Sequence, residues 1–128
     1  MRWLIGLAFL FAGIAQAAEF DGREYVLGQD GSGDRTGPLI IVLHGMKGSG
    51  PKLRGTANLG PMTPGAVIAY PTAPDGIWND GRFDNMGSRA RKRAKQGDVD
   101  WLVRFARHLG HERFYVIGHS NGGGMAMR

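Results

Sequence analysis

Phe114-Tyr115-Val116-Ile117-Gly118-His119-Ser120-Asn121-Gly122 runs from an apolar stretch straight into a serine with a glycine two positions to either side. The β-branched and aromatic residues read as a strand covered on both faces. G-x-S-x-G at the end of such a strand is a sharp strand-to-helix turn that presents the serine oxygen at its tip. Glycine is required at the flanks because a larger side chain would collide with neighbouring backbone in so tight a turn. A chain with 22 glycines produces glycine pairs by chance, so the context carries the reading. A buried-type strand comes before the serine, and Gly123 and Gly124 leave the following helix room to pack closely.

Two further apolar runs have the same character. Leu39-Ile40-Ile41-Val42-Leu43 stops at His44-Gly45, and Ala66-Val67-Ile68-Ala69-Tyr70 stops at Pro71. Continuous rather than alternating apolarity is the pattern of parallel strands buried on both faces. Arg23 to Leu27 reads as a short edge strand, and Gly28 to Gly37, rich in Gly, Asp and Ser, as a loop. From Asp98 to Leu109 the apolar residues Val99, Leu102, Val103, Ala106 and Leu109 recur at helical spacing, with Asp98 as the expected cap and Gly110 as the stop. Lys52 to Gly60 has weaker helical character because glycines and nearby prolines interrupt it. Strands alternating with crossovers predict an α/β fold, with a mainly parallel sheet flanked by helices.

Residues 1–17 read as a secretory signal: Arg2, an apolar stretch from Trp3 to Ile14, and the small-x-small site Ala15-Gln16-Ala17. The apolar stretch is shorter than the roughly 20 residues a bilayer span needs. The expected product is therefore secreted or periplasmic, begins at Ala18, and has no membrane attachment once the signal is removed. The chain contains no cysteine, so export brings no disulfides and packing alone must hold the fold. Residues 18–128 suffice for one small domain and are too few for two. The formal charge of +5 owes much to Arg89-Ala90-Arg91-Lys92-Arg93-Ala94-Lys95. No aromatic residue interleaves with this block, so it lacks the stacking component of a single-strand binder and reads as a solvated face rather than a nucleic-acid site.

In a parallel sheet, ligands gather beyond the carboxyl ends of the strands. That edge collects His44-Gly45-Met46, Tyr70-Pro71-Thr72-Ala73-Pro74 and Ser120. Acyl transfer needs backbone N–H groups aimed at a developing oxyanion, and Met46 and Asn121 stand where the sequence would supply them.

Leu43-His44-Gly45 with Gly48-Ser49-Gly50, then Ala69-Tyr70-Pro71, Trp78-Asn79-Asp80-Gly81, Asp98-Val99-Asp100 and Gly118-His119-Ser120-Asn121-Gly122-Gly123 together resemble the polyhydroxybutyrate depolymerase and feruloyl esterase branch of the α/β-hydrolase superfamily. The likeness in order and spacing runs through nearly all of residues 18–128. It implies the N-terminal part of an α/β-hydrolase domain, ending just after the nucleophile turn. It also implies Ser120 as nucleophile, Met46 and Asn121 as the oxyanion hole, the Trp78 loop beside the substrate, and no metal or organic cofactor. Leu53 to Thr63 departs from the family's first helix in being shorter and richer in glycine and proline. In that family the triad acid and histidine follow the serine, which puts them after residue 128.

The histidines already present offer a poor base. His119 adjoins the nucleophile, but neighbouring side chains on extended backbone point to opposite faces. His108 and His111 lie before the last strand, and at about 3.3 Å per residue that puts them roughly 17 Å or more from Ser120. His44 is at the correct edge, and the resemblance to the superfamily implies a loop residue of structural rather than catalytic use. Asp98 and Asp100 read as capping or surface carboxylates.

The function expected is hydrolysis of an ester, in a polyhydroxyalkanoate or in a feruloyl or acetyl polysaccharide ester, through an acyl-Ser120 intermediate. A serine peptidase of the same superfamily and a non-catalytic binding protein, with the basic block and aromatic loop holding a ligand, are the alternatives.

Overall fold

A computed structural model of the chain describes residues 16–28, 36–82 and 97–128. The apolar part of the expected signal sequence, most of the loop expected over residues 28–37 and the basic block at 89–95 lie outside the described residues.

The fold is α/β, with a five-stranded mixed sheet. Its strands are β1 (Ala18–Phe20), β2 (Arg23–Gly28), β3 (Leu39–Leu43), β4 (Val67–Pro71) and β5 (Phe114–Gly118), in the order β1-β2-β4-β3-β5. The three apolar runs form β3, β4 and β5, which are mutually parallel, with β3 between the other two. β1 and β2 are antiparallel, so the mainly parallel sheet that was expected is parallel in only one half.

The antiparallel half corrects the reading of Arg23 to Leu27. β2 is an interior strand paired with both β1 and β4, and β1 takes the edge. The hairpin closes through Asp21-Gly22, both at positive φ (48° and 73°), as a two-residue turn with right-handed strand twist requires.

Helices cover both faces. On one face, α1 (Gly50–Thr56) lies over Val26, Val42, Ile68 and Tyr70 through Leu53, joined by Leu59 from the connection beyond it. α1 begins two residues before the expected helical stretch and ends well short of Gly60. Ser49 accepts a hydrogen bond from the Lys52 N–H (3.4 Å) and Pro51 occupies the first turn, where its missing N–H does no harm.

The other face is covered by α2 (Asp98–His108) and α3 (Asn121–Ala126). The stripe that α2 buries consists of Trp101, Leu102, Phe105 and Ala106, leaving Val99 exposed. The helix is thus rotated from the expected face, because two aromatic rings bury more apolar surface than two valines. Trp101 and Phe105 stack at 4.7 Å, and Phe105 meets Tyr25 edge-on at 4.9 Å. Gly110, at φ 86°, ends the helix as expected: its N–H bonds the Arg107 carbonyl and the His111 N–H bonds that of Ala106.

The start of α2 differs from expectation. Gly97, in the left-handed conformation, is the cap, and Asp98 turns inward. There its carboxylate accepts the Asn79 N–H (2.7 Å) and pairs with Arg23 (2.8 Å), both side chains being buried. Arg23 also lies over the Trp101 ring at 4.5 Å. Asp98 therefore ties β2, α2 and the segment after β4 together. Asp100 stays on the surface. Among the described residues no helix is long and apolar enough to cross a membrane, and no group of three or more acidic or histidine side chains is placed to hold a metal ion.

Candidate active site

The parallel strands β3, β4 and β5 end at the same edge, and their terminal segments interlock there. β5 runs into α3 with Ser120 between them at φ 53° and ψ −116°. A residue other than glycine in that region carries of order 1–3 kcal/mol of backbone strain and persists only where its surroundings enforce it. Three hydrogen bonds do so: His119 N–H to the Leu43 carbonyl (3.1 Å), Gly122 N–H to the His119 carbonyl (2.9 Å) and Gly124 N–H to the Ser120 carbonyl (3.0 Å). The flanking glycines are compulsory. A Cβ on Gly118 would collide with the carbonyl of Gly122, and one on Gly122 with the carbonyl of Leu43. Ser120 is exposed, and among the described residues no group bonds its hydroxyl.

The loop after β3 lies against this turn. A Cβ on Gly45 would stand 3.1 Å from His119 Nδ1 and 3.5 Å from Ser120 Cβ. Met46 follows immediately, half exposed. The backbone N–H groups of Met46 and Asn121 donate no hydrogen bond among the described residues, which leaves both able to meet an external acceptor. The loop is fixed from behind: Lys47 N–H donates to the Gly76 carbonyl (2.8 Å), Gly48 N–H to the Gly45 carbonyl (3.0 Å) and Gly50 N–H to Thr72 Oγ1 (3.0 Å). Lys47 holds φ at 62°, an uncommon conformation for a residue with a side chain.

His44 is a structural residue of this edge. Its ring is 1% exposed. Nε2 accepts the Ala73 N–H (3.0 Å), so the proton must sit on Nδ1, which donates to the Gly45 carbonyl (2.7 Å). Burial pushes its pKa below the ordinary histidine value, against the weaker opposing effect of the Gly45 hydrogen bond. Both nitrogens are occupied and the ring is kept neutral, so it fastens the end of β3 to the end of β4. The other histidines are no better placed. His119 packs beside Gly45 and lines a groove with α1. His108 stacks on Phe20 at 4.4 Å, and His111 closes the end of α2 before β5 begins.

Asn121 contributes more than its backbone. Its side chain is wholly buried; Oδ1 accepts the Trp78 N–H (2.8 Å), while Nδ2 donates to the Trp78 carbonyl (3.0 Å) and to Asp80 Oδ2 (2.9 Å). The first residue of α3 is thereby clamped to the segment after β4. Asp80 in turn accepts from Arg82 Nε (2.7 Å). Burial opposes ionisation of Asp80, but the hydrogen bonds from Arg82 and Asn121 outweigh it and hold the carboxyl below the usual range.

Trp78, expected beside the substrate, is fully buried. It packs into the core with its ring 5.4 Å from that of His44, and so supports the site from beneath rather than offering a surface to a ligand. The structure therefore brings Ser120, Asn121 and the Met46 loop together and sets Trp78 behind them. The side chains of Asn121, Asp80, Asn79 and Asp98 form the supporting layer that sequence reasoning did not assign. Comparison of the chain with protein-family models and with curated proteins returned no match, so the functional reading rests on the geometry of the serine turn and its neighbours.

Proposed function

We propose that the chain is the nucleophile-bearing part of an exported serine ester hydrolase with the α/β-hydrolase fold. The observation that carries this reading is the backbone of Ser120. An exposed serine is held at φ 53° and ψ −116° between two glycines that admit no Cβ, at the joint of a parallel strand and a helix. Such strain is maintained at functional positions rather than in passive turns. The strand order β1-β2-β4-β3-β5, with α1 on one face and α2 and α3 on the other, supports the same reading.

In the proposed reaction Ser120 Oγ attacks the ester carbonyl carbon as its proton passes to a base. The N–H groups of Met46 and Asn121 receive the negative charge that forms on the carbonyl oxygen. The alcohol leaves with a proton, and water then releases the acid and restores the serine. All four histidines of the chain fall among the described residues, and none is placed to take the serine proton. We infer that the base and its acid partner come from a further segment of the intact protein, without which the hydroxyl is a weak nucleophile. The ester bond as target, whether in a polyester or in a feruloyl or acetyl polysaccharide ester, follows from the family resemblance.

In the intact protein, hydrolysis of a short p-nitrophenyl ester should fall by at least about 10³-fold in Ser120→Ala while the folded structure is retained. Wild-type turnover in that variant would overturn the assignment. Comparable turnover of the matching anilide would move the reading to a peptidase.

A further inference from the structure

Beside the serine turn lies an open groove of about 200 Å³ whose walls include Met46, Lys47, Ser49, Lys52, Leu53 and His119. It adjoins the reaction centre directly, because His119 and Met46 flank Ser120 and Gly45. Its charge is one-sided. Lys47 and Lys52 are both exposed, neither makes an ion pair among the described residues, and no acidic residue contributes to the lining. By contrast, exposed Arg82, Arg104 and Arg107 each pair with a carboxylate.

Lys47 also holds its backbone at positive φ, 62°, with its N–H fixed to the Gly76 carbonyl. Glycine or asparagine would occupy that position at less cost. An unpaired cation kept at a strained position next to a reaction centre is better explained by what it binds than by what it stabilises. The floor is apolar at Leu53 and Met46, and Ser49 adds a hydroxyl whose oxygen already caps α1.

We propose that this groove selects esters bearing a negatively charged group, a carboxylate or a phosphate, a few bonds from the scissile carbonyl. An apolar stem would lie along Leu53 and Met46, and the anion would sit between the two ammonium groups. This specificity rests on the serine hydrolase reading above. The lysines are solvent-exposed, so their combined effect is a preference of about fivefold at low salt that falls as ionic strength rises.

The test uses two fluorophosphonates of equal length, one ending in a methyl group and the other in a carboxylate, with labelling of Ser120 in the intact protein followed by mass spectrometry. The carboxylate probe should react about fivefold faster, and the ratio should approach one in Lys47→Gln/Lys52→Gln and at high salt. Arg113→Gln, which removes one positive charge from an exposed site at the opposite end of β5, should leave the ratio unchanged, whereas Lys47→Gln and Lys52→Gln should each lower it when made singly. Labelling by the methyl probe without preference for the carboxylate would overturn the groove and spare the esterase, whereas failure of both probes would overturn the esterase reading. A non-covalent readout keeps the groove testable in that event. Glutarate and methyl phosphate, titrated separately, should shift the amide resonances of residues 45–49 and 119, and the stronger of the two identifies the anion. The absence of any shift there would refute the proposal.

Discussion

Replacing Asn121 by alanine should destabilise the protein by about 3–5 kcal/mol. The wild-type side chain makes three hydrogen bonds inside the core, two to the backbone of Trp78 and one to Asp80. Alanine leaves a peptide N–H and a carbonyl without partners in a dry environment, at about 1–3 kcal/mol each. It also removes one of the donors that offset the burial of Asp80. Against a total stability of about 5–15 kcal/mol for an ordinary domain, that is a large fraction. Urea unfolding followed by the fluorescence of the buried Trp78 and Trp101 measures it. Asn121→Asp sharpens the test. One oxygen can still accept the Trp78 N–H, but the other faces the Trp78 carbonyl and the Asp80 carboxylate, acceptor against acceptor. At pH 7 it should be at least as unstable as Asn121→Ala. It should regain stability relative to that variant towards pH 5, because burial and a neighbouring negative charge both raise a carboxyl pKa. A loss below about 1 kcal/mol in Asn121→Ala, or wild-type stability of Asn121→Asp at pH 7, would refute the clamp.

Three further outcomes follow from the same structure. Gly122→Ala places a methyl group against the Leu43 carbonyl and should cost at least about 3 kcal/mol, or prevent folding; a fully stable variant by thermal unfolding would contradict the packing at the turn. Arg23→Leu removes the partner of buried Asp98, with an expected loss of about 3–5 kcal/mol, and an unchanged urea midpoint would show that the pair is immaterial. Because burial lowers the folded-state pKa of His44, the unfolded chain binds the proton more readily. Its contribution to stability is therefore complete above the unfolded value of about 6.5 and is lost as pH falls below it towards the folded value. His44→Gln should abolish that part of the pH dependence, and an identical stability profile in the variant would refute it.

The strands and the serine turn were legible in the sequence because their signals are local. Leu39–Leu43, Phe114–Ile117 and the glycine-framed serine each declare themselves within a few residues. The turn Asp21-Gly22 is a local signal too, and the pairing of β1 with β2 that it closes is what moves Arg23–Leu27 from the expected edge to the interior of the sheet. What the sequence hid depends on distant partners. The inward turn of Asp98 needs Arg23 and Asn79, and the clamp of Asn121 needs Trp78, 43 positions away. Trp78 itself illustrates the limit. An aromatic residue in a loop near a reaction centre fits a substrate surface or a core equally well by pattern. Only the three-dimensional arrangement, with the ring buried beside His44 and the backbone held by Asn121, decides for the core. The rotation of α2 has a similar origin, since helical spacing alone allowed a face containing Val99, and the burial of Trp101 and Phe105 selected its neighbour.

The proposed role of the strained turn, presenting Ser120 as a nucleophile, is open to a chemical test. The most direct measurement is peptide mapping of the intact protein after reaction with a neutral alkyl fluorophosphonate, in parallel with Ser120→Ala. A single phosphonyl adduct is expected on the peptide containing Ser120, formed far faster than on any other hydroxyl and absent from the variant. An unmodified Ser120 in the folded wild-type protein, or equal labelling of the alanine variant, would contradict it.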